Sequence, residues 1–99
     1  MSRSMLQRRL VDVSERIRRL RADLAVTEEQ VAAFEAEADD ARLRALVAEI
    51  PLADRESRET RRHADALTRH RDALRRSIEE LLREQDALLD RMGRERVDG

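Results

Sequence analysis

Cysteine, lysine, tryptophan and tyrosine are all missing from this chain, and it holds one phenylalanine, one proline and two glycines in 99 residues. Without cysteine there is no disulfide framework, no thiolate zinc site and no cysteine nucleophile, which suits a reducing compartment. One aromatic residue rules out the stacking platforms that single-stranded nucleic acid requires. Two glycines cannot build a phosphate-cradling loop. No apolar run approaches the roughly 20 residues that cross a bilayer. Met1-Ser2-Arg3-Ser4 leads into charged sequence instead of a signal-peptide apolar stretch, so a soluble, cytoplasmic protein is expected.

What is present is charge and helix-forming residues. Asp, Glu and Arg make up 43% of the chain, and the mean hydropathy of -0.76 leaves too little apolar volume for a compact globular core. All 21 basic residues are arginine, a usage that resembles the codon bias of GC-rich bacterial genomes. Alanine, leucine, glutamate and arginine predominate, the types that lose least side-chain entropy in a helix.

The apolar residues are strictly ordered. Leu6, Leu10, Val13, Ile17, Leu20, Leu24, Thr27, Val31, Phe34, Ala38, Ala41, Ala45 and Ala48 follow a four-three spacing with Thr27 as the polar member. After Pro51 the pattern resumes at Thr60, Ala64, Leu67, Arg71, Leu74, Ile78, Leu81, Gln85, Leu88 and Met92. Heptads of this length require a partner surface along each helix. The spacing predicts one helix over about 4–49, begun by Ser4 as N-cap, and a turn over about 50–53. A second helix over about 54–92 is capped by Asp54 and stopped by Gly93, with a frayed tail over 93–99.

Charge decides between folding back and staying extended. Residues 1–24 carry seven arginines against three acids, and 25–40 carry six acids and no arginine. Residues 51–76 carry eight arginines against five acids, and 77–90 carry five acids against one arginine. Folding at Pro51 lays each basic block beside an acidic one, with paired position numbers totalling about 102 and Ala38 meeting Ala64. The fold class expected is therefore all-α, a single antiparallel coiled-coil hairpin. Six acid-before-base pairs four residues apart support the helices locally, among them Asp12 with Arg16 and Asp65 with Arg69.

A lone hairpin buries one narrow stripe per helix, and small single-core chains gain only about 3 to 5 kcal/mol. Leu43, Val47 and Ile50 near the turn, together with Leu82 and Leu89 beside the second seam, widen the apolar face. They are the expected interface of a homodimer, a four-helix bundle, or of another protein partner. Arg71 and Gln85 read as polar register-setters within the seam. Arg71 is placed to reach Glu28 or Glu35.

No residue set reads as catalytic. His63 and His70 lie about 10 Å apart along the helix, too far for one metal ion, and neither has the Glu three positions earlier that di-iron bundles use. No nucleophile, base and orienter converge, and a hairpin encloses no substrate pocket. The sequence therefore implies no enzyme activity, no cofactor, no metal and no small-molecule substrate. The arginines are balanced by acids to a net charge of -1, which argues against nucleic acid and against a membrane surface as partners.

The segment Leu52-Ala53-Asp54-Arg55-Glu56-Ser57-Arg58-Glu59, with Ile78-Glu79-Glu80-Leu81-Leu82 further along, resembles the tip and second coiled-coil helix of DksA/TraR-type factors. Those factors insert a helical hairpin into the secondary channel of RNA polymerase. Asp54 and Arg55 match that family's tip Asp-Arg pair. Pro51 stands where its first tip aspartate would be, Glu56 replaces its alanine, and the cysteines of its zinc ribbon are missing. The resemblance implies RNA polymerase as partner, with Pro51, Asp54, Arg55 and Glu56 as tip contacts and Asp54 nearest the active centre. The residues themselves imply a non-catalytic interaction or scaffold module.

Overall fold

In a computed structural model, which describes the backbone of residues 2–98 and the side chains of residues 2–95, the protein is all-α. Helix α1 spans Arg3–Ala48 and helix α2 spans Pro51–Asp98, joined by Glu49 and Ile50 as a hairpin. Proximity in space groups two units: residues 1–23 with 74–99, and residues 24–73. Each helix contributes one segment to each unit.

The ends of the helices follow from backbone hydrogen-bonding needs, and they correct the expected boundaries. Ser2, not Ser4, caps α1: its hydroxyl accepts from the Met5 N–H at 3.2 Å, satisfying one of the donors that a helix start leaves open. The turn is two residues long and not the four of 50–53. Glu49 adopts a left-handed φ of 53°, and its N–H donates to the Ala45 carbonyl at 3.1 Å, the single-bond left-handed helix cap. Pro51 does not end the turn but opens α2. At the first helical position its missing N–H would be unsatisfied anyway, and its ring presets the helical φ. Asp54 consequently sits inside the first turn, donating its own N–H to the Ile50 carbonyl at 3.3 Å. It favours the positive end of the helix dipole rather than capping it.

The far end of α2 is corrected too. The helix passes through Gly93 to Asp98 instead of stopping. Gly93 does not take the positive φ of a helix-ending glycine. Gly99 lies outside the described residues.

The seams are buried as spaced. In the unit formed by residues 1–23 and 74–99, Leu6, Val13, Ile17 and Leu88 form the core, with Leu10, Leu81, Leu82 and Met92 packed against it. In the unit of residues 24–73 the buried residues are smaller: Thr27, Val31, Ala38, Ala41, Ala45 and Ala64. The first seam ends at Ala45, because Ala48 is exposed where the chain leaves the helix at Glu49. The second seam begins earlier than expected, with half-buried Ala53 and Ser57 continuing the same spacing.

The charge blocks pair across the helices within each unit. Arg9 meets Glu84 at 2.6 Å in one, and Arg61 meets Glu35 at 2.9 Å in the other. Paired positions total 93 to 100, through Arg9 with Glu84, Phe34 with His63, Ser14 with Gln85 and Asp39 with Arg61. These totals fall below the expected 102 because the turn, at residues 49 and 50, is centred two residues earlier than the expected 50–53. None of the six acid-before-base pairs closes to 4.0 Å among the described residues. The intrahelical bridge at four-residue spacing is Arg61 with Asp65 at 3.6 Å, base first. Exposed pairs of this kind gain too little to hold two long side chains still.

Candidate functional site

The unit of residues 24–73 carries the features that core packing leaves unexplained. Leu43, Leu46 and Val47 lie on one face of the last turns of α1, Ile50 is in the connection, and Leu52 is in the first turn of α2. All five are 49 to 86% exposed. Isolated exposed leucines are ordinary, but a contiguous group of large apolar side chains marks a contact surface. Leu43 and Val47, with Ala48 and the stem of Arg44, line one shallow depression.

The expected interface residues are thus divided. Leu43 and Val47, in the last turns of α1, and Ile50, in the connection, are all exposed. Leu82 belongs to the other unit, where it packs against that unit's own core, and Leu89 is there too but half exposed. Leu46 and Leu52 were missed from the sequence. The signal that could have found Leu46 is its place three residues after Leu43, since 43, 46, 47 and 50 make one helical stripe. Pro51, Asp54, Arg55 and Glu56 all lie exposed in the first turns of α2.

Beside this apolar stripe the unit has two charged grooves. One is lined by Phe34, Glu37, Glu59, Thr60, Arg62 and His63, and in it the Phe34 and His63 rings stack at 5.9 Å with planes 20° apart. The other is lined by Asp39, Arg42, Ser57, Arg58, Arg61 and Arg62 over a floor of Ala38. Arg61 is held by Glu35 at 2.9 Å and approached at 3.6 Å by Asp39 and Asp65. The hydrogen bond that Arg61 donates to Glu35 pushes its pKa above the ordinary guanidinium value, with the charges of Glu35 and Asp65 adding to the rise.

The polar members of the seam meet local partners. Gln85 donates to the Ser14 hydroxyl at 3.1 Å, tying α2 to α1 sideways from the core. Arg71 reaches Asp72 on its own helix at 3.2 Å, while Glu35, one of its expected partners, is taken by Arg61.

Among the described residues no group of three or more His, Asp or Glu side chains is placed to hold a metal ion. Nor is any described helix long and apolar enough to cross a membrane. No protein-family model, curated protein or solved structure matches this chain.

Proposed function

We propose that the protein is a non-catalytic interaction module that docks through the apolar stripe of Leu43, Leu46, Val47, Ile50 and Leu52, with a second copy of itself as the first partner. The observation that carries this reading is an inversion of sizes. In the unit of residues 24–73 the buried residues are largely alanine, while six large apolar side chains stand exposed, five of them around the connection. A sequence selected for hairpin stability alone would put the large side chains in and the small ones out. Each Leu or Ile brought from exposure to full burial contributes about 1.5 to 3 kcal/mol. Positions that break such a rule without benefit to the fold are expected where function demands it.

The test is solution mass by light scattering, across a concentration series, for the full chain and for Val47→Glu. The expected result is a mass above that of one chain that falls to one chain in the variant, with helicity retained. A monomer throughout, or an assembly indifferent to Val47→Glu, sinks the reading.

A second reading draws support from the exposure of Asp54 and Arg55 beside the connection. On it, the resemblance to DksA/TraR-type factors is functional, and the tip enters a large enzyme such as RNA polymerase. Polymerase should then be recovered with the tagged full chain from a cross-linked lysate, and Asp54→Asn should abolish the regulatory effect without loss of helix. Absence of polymerase from the recovered material rejects it.

A further inference from the structure

The net charge of -1 conceals an uneven local distribution. Arg42 from α1 and Arg58, Arg61 and Arg62 from α2 line one open groove of about 600 Å³, whose acidic lining residue is Asp39. Positions 58, 61 and 62 share a helix face by their three- and four-residue spacing. Arg61 is neutralised by Glu35, and the Asp39 carboxylate is turned to it as well, 3.6 Å from its Nη2. Arg42, Arg58 and Arg62 have no ion-pair or hydrogen-bond partner among the described residues. The groove therefore presents three uncommitted guanidinium groups from two helices, with the Ser57 hydroxyl beside them.

The geometry points to this groove as a binding site for a compact phosphate-class anion of charge two or more, of the size of a phosphomonoester or diphosphate group. Three features select that chemistry. Guanidinium forks pair with phosphate oxygens through parallel charge-assisted hydrogen bonds, and arginine is more weakly hydrated than lysine, so it surrenders water readily. Three free guanidinium groups also offer more charge-assisted donors than the two oxygens of a single carboxylate can use. The floor is Ala38, 3% exposed, which leaves room above it for the ligand. Arg61, engaged by Glu35, Asp39 and Asp65, lines the groove beside the three free arginines.

Inorganic pyrophosphate is the probe for a free ligand, and a short peptide bearing one O-phosphoserine is the probe for a protein-borne one. Both are titrated into the full chain by calorimetry at low, matched ionic strength. The expected result is saturable binding of at least one probe, weakened about 5-fold by each of Arg42→Gln, Arg58→Gln and Arg62→Gln, the scale of one exposed charge-assisted contact. Arg18→Gln, in the other unit, should leave it unchanged. Tighter binding of pyrophosphate assigns a free ligand, and tighter binding of the phosphopeptide assigns a modified protein. Circular dichroism checks that each variant keeps its helices. The inference is overturned by the absence of saturation, or by an equal effect of Arg18→Gln, which would mean diffuse screening charge. Displacement by chloride as effective as by phosphate at equal ionic strength overturns it too.

Discussion

Glu49 is the residue on which the reversal of the chain turns, and replacing it with glycine gives a result whose sign is diagnostic. A residue with a Cβ in the left-handed region costs about 1 to 2 kcal/mol, which glycine does not incur. Glycine in turn adds unfolded-state freedom that costs about 0.5 to 1 kcal/mol. Glu49, at φ 53°, makes no side-chain hydrogen bond or ion pair that the substitution would remove. Its charge faces the negative end of α1 and the positive end of α2, two effects of similar size and opposite sign. The net expectation for Glu49→Gly is a gain of about 0.5 to 1 kcal/mol, a rise in Tm of roughly 4 °C for a chain of this size. Urea unfolding followed by far-UV circular dichroism measures it, at one fixed protein concentration because self-association would shift the midpoint. Glu49→Gln should be nearly neutral, and Glu49→Val should destabilise, since a β-branched residue tolerates this region worst. Were residue 49 instead inside one uninterrupted helix, Glu49→Gly would cost about 1 kcal/mol. A loss of that size refutes the two-residue turn and, with it, every role assigned to the residues around it.

Four other outcomes follow from the same fold. Gly93→Ala should stabilise by up to about 1 kcal/mol in the same urea assay, because the glycine is helical and an added Cβ meets nothing within 4 Å. Leu88→Ala should cost about 2 to 5 kcal/mol by opening the core, whereas the adjacent, half-exposed Leu89→Ala should stay within about 0.5 kcal/mol; equal effects would mean that the seam is misassigned. Ser2→Ala should lower stability by about 0.5 kcal/mol through loss of the α1 cap, with the effect confined to amide exchange in the first turn. The raised pKa of Arg61 means that its ion pair is fully present below the ordinary guanidinium value and is lost only above it. Titration from about pH 6 to pH 9 should therefore leave the Arg61 contribution to stability unchanged, and a midpoint shift abolished by Arg61→Gln would contradict the assignment.

The heptad seams were legible because burial in a two-helix protein is a periodic property, and periodicity is visible in sequence. Leu6, Val13, Ile17, Ala38, Ala64 and Leu88 are all buried where the spacing places them. The charge blocks were legible for a related reason. Arg9 with Glu84 and Arg61 with Glu35 realise the pairing of basic with acidic segments, even though the register is shifted. The turn was read wrongly in detail because Pro51 has two meanings, helix stop and first helical residue. Which one holds depends on Glu49 entering the left-handed region, and glutamate carries no sequence signature for that conformation.

The candidate surface was only half legible, and the reason bears on how it should be tested. Leu43, Val47 and Ile50 were found as a stripe outside the seam, but Leu82 follows the same rule and packs against the core of its own unit. Spacing says that a residue lies off the seam; it does not say how far round the helix the partner reaches. Near the connection the seam residues are Ala41, Ala45, Ala53 and Ser57, whose short side chains cover little beyond the seam itself. In the other unit the core is built of Leu6, Val13, Ile17 and Leu88, and Leu82 packs against it. Exposure of the stripe is thus a consequence of the small residues opposite. Enlarging the seam, as in Ala64→Leu, should strain a fully buried position by about 1 to 3 kcal/mol. Replacing Leu46 and Val47 with glutamine should change unfolding free energy little at protein concentrations where the chain is monomeric, because both are exposed when folded and when unfolded. Separation of these two effects is what a docking surface requires: the stripe removed without cost to the fold, and association lost with it. A large loss of monomer stability from the glutamine pair would show that the stripe belongs to the hairpin's own core and not to a partner.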